Sequence, residues 1–200
     1  MLPSPEIRRD KMTVKDVIKD VARLLDDKEF CNALDENKET VTDENKAKTA
    51  AMLKCFNDAL FEIASEYYPL VKEETFSAGK IPMRSFTKTP LKITSVRLKN
   101  GEAVSFYVGA DYVETEKAHG EVTVVYEYIP SGKGLIDDFE YDATPFGKTI
   151  FAYGIAAEYC LVAGRFSEAA NWESRYKNAL GAVTGRRKRA GRITNKRVWK

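Results

Sequence analysis

TPFGKTIFAYGIAAEYCLVAGRFSEAANWESRYKNALGAVTG, residues 144–185, decides the fold. Thr144 and Pro145 fit the N-cap and first position of a helix, because proline has no N–H to leave unsatisfied there and its φ is already helical. Apolar Phe146, Ile150, Tyr153, Ala157 and Leu161 recur every three or four residues and predict a helix over 146–163. Gly164 suits the left-handed position just past its end. Ser167 then predicts a second N-cap, with Ala169, Trp172, Tyr176, Leu180 and Val183 as the apolar stripe behind it. A connection this short makes the two helices antiparallel neighbours. After Gly185 the apolar periodicity stops.

Working outward, residues 184–200 hold eight cations (Arg186, Arg187, Lys188, Arg189, Arg192, Lys196, Arg197 and Lys200) and no Asp or Glu. The whole chain has 32 basic and 30 acidic residues, so without this tail 24 basic residues face 30 acidic ones. A body of net −6 therefore carries an arm of +8, an asymmetry typical of interaction arms. Three uses are open to such an arm: a solvated end, a grip on phosphates through counterion release, or docking on a protein. Trp199 favours docking, since an exposed Trp costs solubility without a pocket, and Trp and Arg are common interface anchors.

The chain of 200 residues suffices for one domain, or one domain with an insert. Its 44% hydrophobic and 31% charged content is that of a soluble globular protein. No apolar run approaches the roughly 20 residues of a membrane helix, and the first residues, Met1-Leu2-Pro3-Ser4-Pro5-Glu6, lack a signal-peptide apolar core. The three cysteines are accordingly expected to be reduced. Cys55 and Cys160 fall in helical patterns and read as small core residues, whereas the reading of Cys31 stays open.

Towards the N-terminus, residues 1–11 look like an extended arm. Thr13 with Asp16 predicts a capping box for a helix presenting Val14, Val17, Ile18, Val21, Leu24 and Leu25 on one face. Residues 28–42 read as a polar loop with a helical turn near Phe30 to Leu34. A long helix then starts at Thr42 or Asp43, with Met52, Leu53, Phe56, Leu60, Ile63, Ala64 and Tyr67 as its stripe, and Pro69 stops it. Beyond Leu70 the period falls to two. Strands are expected over 71–76, 81–86 (weakened by Pro82), 91–98, 103–108, 112–115 and 121–128. Asn100-Gly101 predicts a hairpin joining the third and fourth, and His119-Gly120 a turn joining the last two. On the last strand Val122, Val124, Tyr126 and Tyr128 share one face. The acidic stretch 137–142 reads as a solvated linker that favours the following helix N-terminus. The expected fold is α+β: a body of two N-terminal and two C-terminal helices packed together, an antiparallel β module inserted between them and projecting from one end, and an extended C-terminal arm. The boundaries are 1–70, 71–143, 144–183 and 184–200.

Catalytic signals are sparse. The single histidine, His119, sits in a predicted turn with no nucleophile placed beside it. Gly132-Lys133-Gly134 lacks the remainder of a phosphate loop. Asp138, Glu140 and Asp142 alternate as in a calcium loop, without its turn glycine or final Glu. No cofactor, metal or catalytic residue is expected. Tyr126 and Tyr128 could stack on nucleic-acid bases, although packing in the sheet is the commoner use of such a face.

Three stretches carry a resemblance: Glu66-Tyr67-Tyr68-Pro69-Leu70 at the end of the long helix, the strand Gly120 to Pro130, and the helical pair from Ile155 to Tyr176 with a tail closing on Arg197-Val198-Trp199. From about residue 13 the layout resembles the head-to-tail adaptor (connector) proteins of tailed bacteriophages and prophages. The resemblance implies a structural virion protein, not an enzyme, that forms a ring, usually twelvefold, under the portal after DNA packaging, located at the neck of the virion and in the host cytoplasm during assembly. The helices would form the ring body and DNA would pass non-specifically through the channel. A β module facing the tail or neck protein would expose Asn100, Gly101, His119 and Gly120. The arm docking on the portal would use Arg186, Arg187, Lys188, Arg189, Arg192, Lys196, Arg197 and Trp199. The alternative reading is a nucleic-acid-binding module gripping DNA or RNA with that arm.

Overall fold

The computed structural model describes residues 12–35, 42–116 and 119–190, with side chains through residue 185. The expected N-terminal arm 1–11, part of the polar loop and the tail beyond Ala190 lie outside the described residues. The fold is α+β, and it divides into two units: Leu60–Ser131 forms one, and the residues before and after it form the other.

In the helical unit, α1 (Val14–Leu24) starts at a complete capping box, in which Asp16 accepts from the Thr13 N–H at 2.9 Å and Thr13 Oγ1 accepts from the Asp16 N–H. Its next two amides, Val14 and Lys15, donate to the carbonyls of Asp137 (3.0 Å) and Leu135 (2.9 Å). The N–H groups that a helix start leaves unpaired are thus satisfied by a segment more than a hundred residues away. The expected apolar face is buried at Val14, Val17, Ile18 and Val21, with Ala22 in place of Leu24, which is exposed. A short α2 (Lys28–Ala33) occupies the place of the expected helical turn; the Asp27 carboxylate caps it on the Phe30 N–H at 3.0 Å and pairs with Lys48. Thr42 caps α3 (Asp43–Glu62) through the Asn45 N–H at 3.2 Å. This helix widens into a π-turn over Ile63–Tyr67, closed by Tyr68 N–H to Ile63 C=O at 2.7 Å, immediately before Pro69.

The C-terminal pair differs from expectation in its bounds. The helix α4 covers Lys148–Val162, with Gly147 at its N-cap. Thr144 instead closes a turn, donating to the Tyr141 carbonyl and accepting from the Phe146 N–H. Gly147 supplies no side-chain cap, so the helix gains nothing from Thr144 directly. Of the expected stripe Phe146 and Ile150 are buried, but Tyr153 and Ala157 are only half-buried and Leu161 is 49% exposed; Phe151, Ala152, Ile155, Ala156 and Cys160 face the core as well. Gly164 does end the helix, at φ +74°, with Arg165 N–H to Cys160 C=O and Gly164 N–H to Leu161 C=O forming the paired bonds of a Schellman turn. The partner α5 spans Phe166–Ala190, starting one residue before Ser167 and continuing seven residues beyond Val183. The extended arm expected from residue 184 is therefore helical as far as Ala190. Thr184 ties back to the Leu180 carbonyl at 2.9 Å, and Arg and Lys are good helix formers that also suit the negative end of the helix dipole. Tyr176 packs on bare Gly154, and Trp172 stacks on Tyr153 with centroids 5.8 Å apart.

The stretch expected to be a solvated acidic linker is core. Phe139 and Tyr141 are buried, and both rings meet Phe151, at 4.8 and 5.3 Å. Phe56 of α3 joins them, 5.7 Å from Phe151 and 6.1 Å from Phe139. Asp137, Asp138 and Asp142 are exposed between and beside these rings, whereas Glu140 turns partly inward.

The β unit holds two three-stranded antiparallel sheets around one core. Strands β1 (Leu70–Ser77) and β3 (Pro90–Leu98) flank β6 (Glu121–Tyr128); β2 (Lys80–Pro82) and β4 (Phe106–Val108) flank β5 (Tyr112–Thr115). Neither expected hairpin pairs as a ladder. After Asn100-Gly101 the chain makes one bridge, Arg97 to Ala103, then crosses to the other sheet. After Gly120 the last strand pairs β1 and β3, not β5. The reason is burial: Val122, Val124 and Tyr126 are fully buried and Val125 on the opposite face nearly so, which fits a central strand. The second strand stops at Pro82, and Met83–Ser85 turns as a 3-10 helix.

Tyr126 is a core residue, and its hydroxyl donates to Glu74 Oε1 at 2.7 Å. Lys72 pairs with the same carboxylate at 2.8 Å, and Thr87 donates to it from both its hydroxyl and its N–H. Burial pushes the Glu74 carboxyl up, but the hydrogen bonds from Lys72, Thr87 and Tyr126 outweigh it and hold the group down at about 2. A depressed carboxyl stabilises the fold above its unfolded value and loses that contribution as pH falls towards its folded value. Glu74→Gln should therefore cost roughly 2 kcal/mol at pH 7. The gap to the parent should close between about pH 4.5 and pH 2, read by urea unfolding across that range. A pH-independent gap would show that the charge is not what matters.

Candidate interaction surfaces

Three surfaces follow from these elements. The first is the far end of α5. Pairing Tyr176 with Gly154 and Trp172 with Tyr153 sets an antiparallel register that places the start of α4 opposite about Leu180. Beyond that point α5 runs on without α4 beside it, and its helical backbone carries Arg186, Arg187, Lys188 and Arg189. Arg192, Lys196, Arg197 and Trp199, the rest of the expected docking arm, lie outside the described residues.

The second surface is one end of the β1–β6–β3 sheet. Register places Ser77 opposite Glu121 and Leu98 opposite Val122, so the turns that follow β3 and precede β6 lie side by side. Asn100, Gly101, His119 and Gly120 are thereby brought together, all exposed, at the end away from Leu70 and Tyr128. Asn100 Oδ1 accepts from the Glu102 N–H at 3.0 Å, and Gly101 sits at φ +86°, where a side chain would be strained. Gly120, at φ +87°, accepts from the Ala78 N–H at 2.7 Å.

The third surface was not foreseen. At the turn between α4 and α5, Val162 is 70% and Phe166 68% exposed, next to the half-exposed Leu161. Periodicity assigned Leu161 to the buried stripe, so nothing local marked this turn as open. Three large apolar side chains on one exposed turn are the raw material of a protein contact.

Among the described residues there is no group of three or more His, Cys, Asp or Glu able to hold a metal, and no helix long and apolar enough to cross a membrane. Cys55 and Cys160 are buried, and burial pushes the Cys55 thiol up to about 11, which makes it a poor nucleophile. Nearby, the Lys133 ammonium pairs with Glu140 Oε1 at 2.9 Å, both largely buried, while Glu140 Oε2 is buried with no hydrogen-bond partner among the described residues. Asn57 grips the main chain of Lys133, accepting from its N–H at 2.7 Å and donating to its carbonyl at 3.1 Å. The chain matches no protein-family model and no curated protein.

The largely buried Lys133–Glu140 pair should behave as a unit when it is removed. Lys133→Met leaves a buried carboxylate alone and should cost about 2–3 kcal/mol. Adding Glu140→Leu should restore most of it, as measured by denaturant unfolding of the single and double variants. Equal losses in both would mean that the pair does not act as a unit.

Proposed function

We propose that this chain is a head-to-tail adaptor of a tailed bacteriophage or prophage: a non-enzymatic virion subunit that forms a ring under the portal and joins head to tail. The observation that carries the reading is the form of α5, which outruns α4 and ends in four consecutive cations on a body of opposite net charge. That is the construction of an arm that reaches out of a folded body to a partner. In this reading the arm meets the portal protein and the exposed sheet end with Asn100 and His119 meets the tail or neck protein. The apolar turn at Val162 and Phe166 suits packing between copies in a ring. DNA passes through the channel without being read.

If the arm docks on protein, its energy is concentrated in a few anchors, and Trp199 is the strongest of them. Trp199→Ala should weaken association with the cognate portal by roughly 2 kcal/mol, about thirtyfold, while weak DNA binding persists. Arg186→Ala with Arg187→Ala should slow association and lower its salt dependence. Both variants are tested by co-elution with portal on size exclusion and by gel shift with duplex DNA at two salt concentrations. A DNA affinity falling with a log–log slope of about −0.9 per phosphate contact, together with unchanged portal binding in Trp199→Ala, would overturn docking in favour of a nucleic-acid module.

A further inference from the structure

A groove of about 530 Å³ opens in the β unit between the end of β2 with its 3-10 turn and the loop before β5. The Met83 N–H donates to the Asp111 carbonyl at 2.8 Å and joins the two walls. Pro82, Met83 and the Tyr112 ring supply an apolar lining, and Lys80, Arg84 and Asp111 supply three formal charges. None of the three forms an ion pair among the described residues. The Lys80 ammonium instead sits 3.7 Å over the Tyr112 ring. That ring is seated on Gly109, where a Cβ would fall 2.7 Å from it, so the aromatic wall occupies space that only a glycine leaves open. Tyr107, 59% exposed and 6.3 Å from Tyr112, extends the aromatic surface beyond the groove.

We propose that this groove binds an acidic, partly apolar segment of a partner polypeptide, with its carboxylates on Lys80 and Arg84 and its apolar side chains against Tyr112, Pro82 and Met83. Two cations without carboxylate partners call for an anion. The lone Asp111 argues against a polyphosphate, whose evenly spaced charges would meet it, whereas a peptide can set an amide N–H there. The edge position of β2, paired only with β5 among the described residues, leaves main chain beside the groove for an extended segment. The proposal holds for the isolated chain and does not depend on the adaptor reading.

The test uses the full chain with reductively 13C-methylated lysines and the probe acetyl-Glu-Leu-Glu-Leu-Glu-Leu-amide. The basic tail also attracts this probe, so the readout must be local. The Lys80 methyl resonance, displaced by the Tyr112 ring current and assigned by its loss in Lys80→Arg, reports on the groove alone. It should shift saturably with peptide and far less with oligothymidylate. Arg84→Glu should weaken the titration by roughly tenfold or more. Gly109→Ala, which pushes the ring away, should move the Lys80 resonance in the free protein and weaken binding as well. A Lys80 signal unmoved by peptide, an equal response to oligothymidylate, or an unchanged titration in Arg84→Glu would each overturn the proposal.

Discussion

The first amides of α1 have no partner within their own helix, and the way they find one organises the helical unit. Val14 and Lys15 donate to carbonyls of Asp137 and Leu135, and Phe139 N–H returns a bond to Met12 C=O at 2.9 Å. A segment that composition marks as linker is thereby held as a short extended partner to the start of α1. Once it is fixed there, its alternation of aromatic and acidic side chains decides the rest. Phe139 and Tyr141 turn inward onto Phe151, and Phe56 closes the cluster from α3. Rings in edge-to-face and tilted contact at these distances add about 0.5–1.5 kcal/mol per pair beyond their burial. The N-terminal and C-terminal helices, separated by the whole β unit in sequence, are joined through residues belonging to neither.

The same physics explains what the sequence made legible. Helix starts and stops with a local chemical cause could be read directly: the Thr13–Asp16 box, Thr42 before α3, Gly164 after α4. The stripes of α1 and α5 were also legible, since Val14, Val17, Ile18, Val21, Ala169, Tyr176 and Leu180 lie at helical spacing and are all buried. The stripe of α4 was legible only at its start, where Phe146 and Ile150 are buried. That helix is apolar nearly all round, and periodicity cannot say which side of such a helix is open. Leu161 and Val162 are on its open side only because the hairpin turns there. The acidic segment did carry a signal, the period-two placing of Phe139 and Tyr141 between Asp138, Glu140 and Asp142, but charge density hid it.

Strand pairing was misread for a different reason. Asn100-Gly101 and His119-Gly120 are sound turn signals, and both glycines do adopt positive φ. A turn fixes the direction of the next few residues, however, not the partner of the next strand. The partner is set by which strand has most to bury. With Val122, Val124 and Tyr126 inward and Val125 nearly covered, β6 takes the centre although it comes last, and the less apolar stretch after Gly101 is displaced to the second sheet. The Glu74 cluster then depends on that arrangement: only with β1 beside β6 can the Tyr126 hydroxyl reach a carboxylate that also holds Lys72 and Thr87.

Among the candidate surfaces, the legible part was charge and the illegible part was geometry. Residues 186–189 stand out in any composition count, but composition alone suggested a loose arm. The backbone of α5 continues through them to Ala190. The apolar periodicity ends at Gly185 while the helix does not, because Arg and Lys are good helix formers and need no packed face to continue the hydrogen-bond ladder.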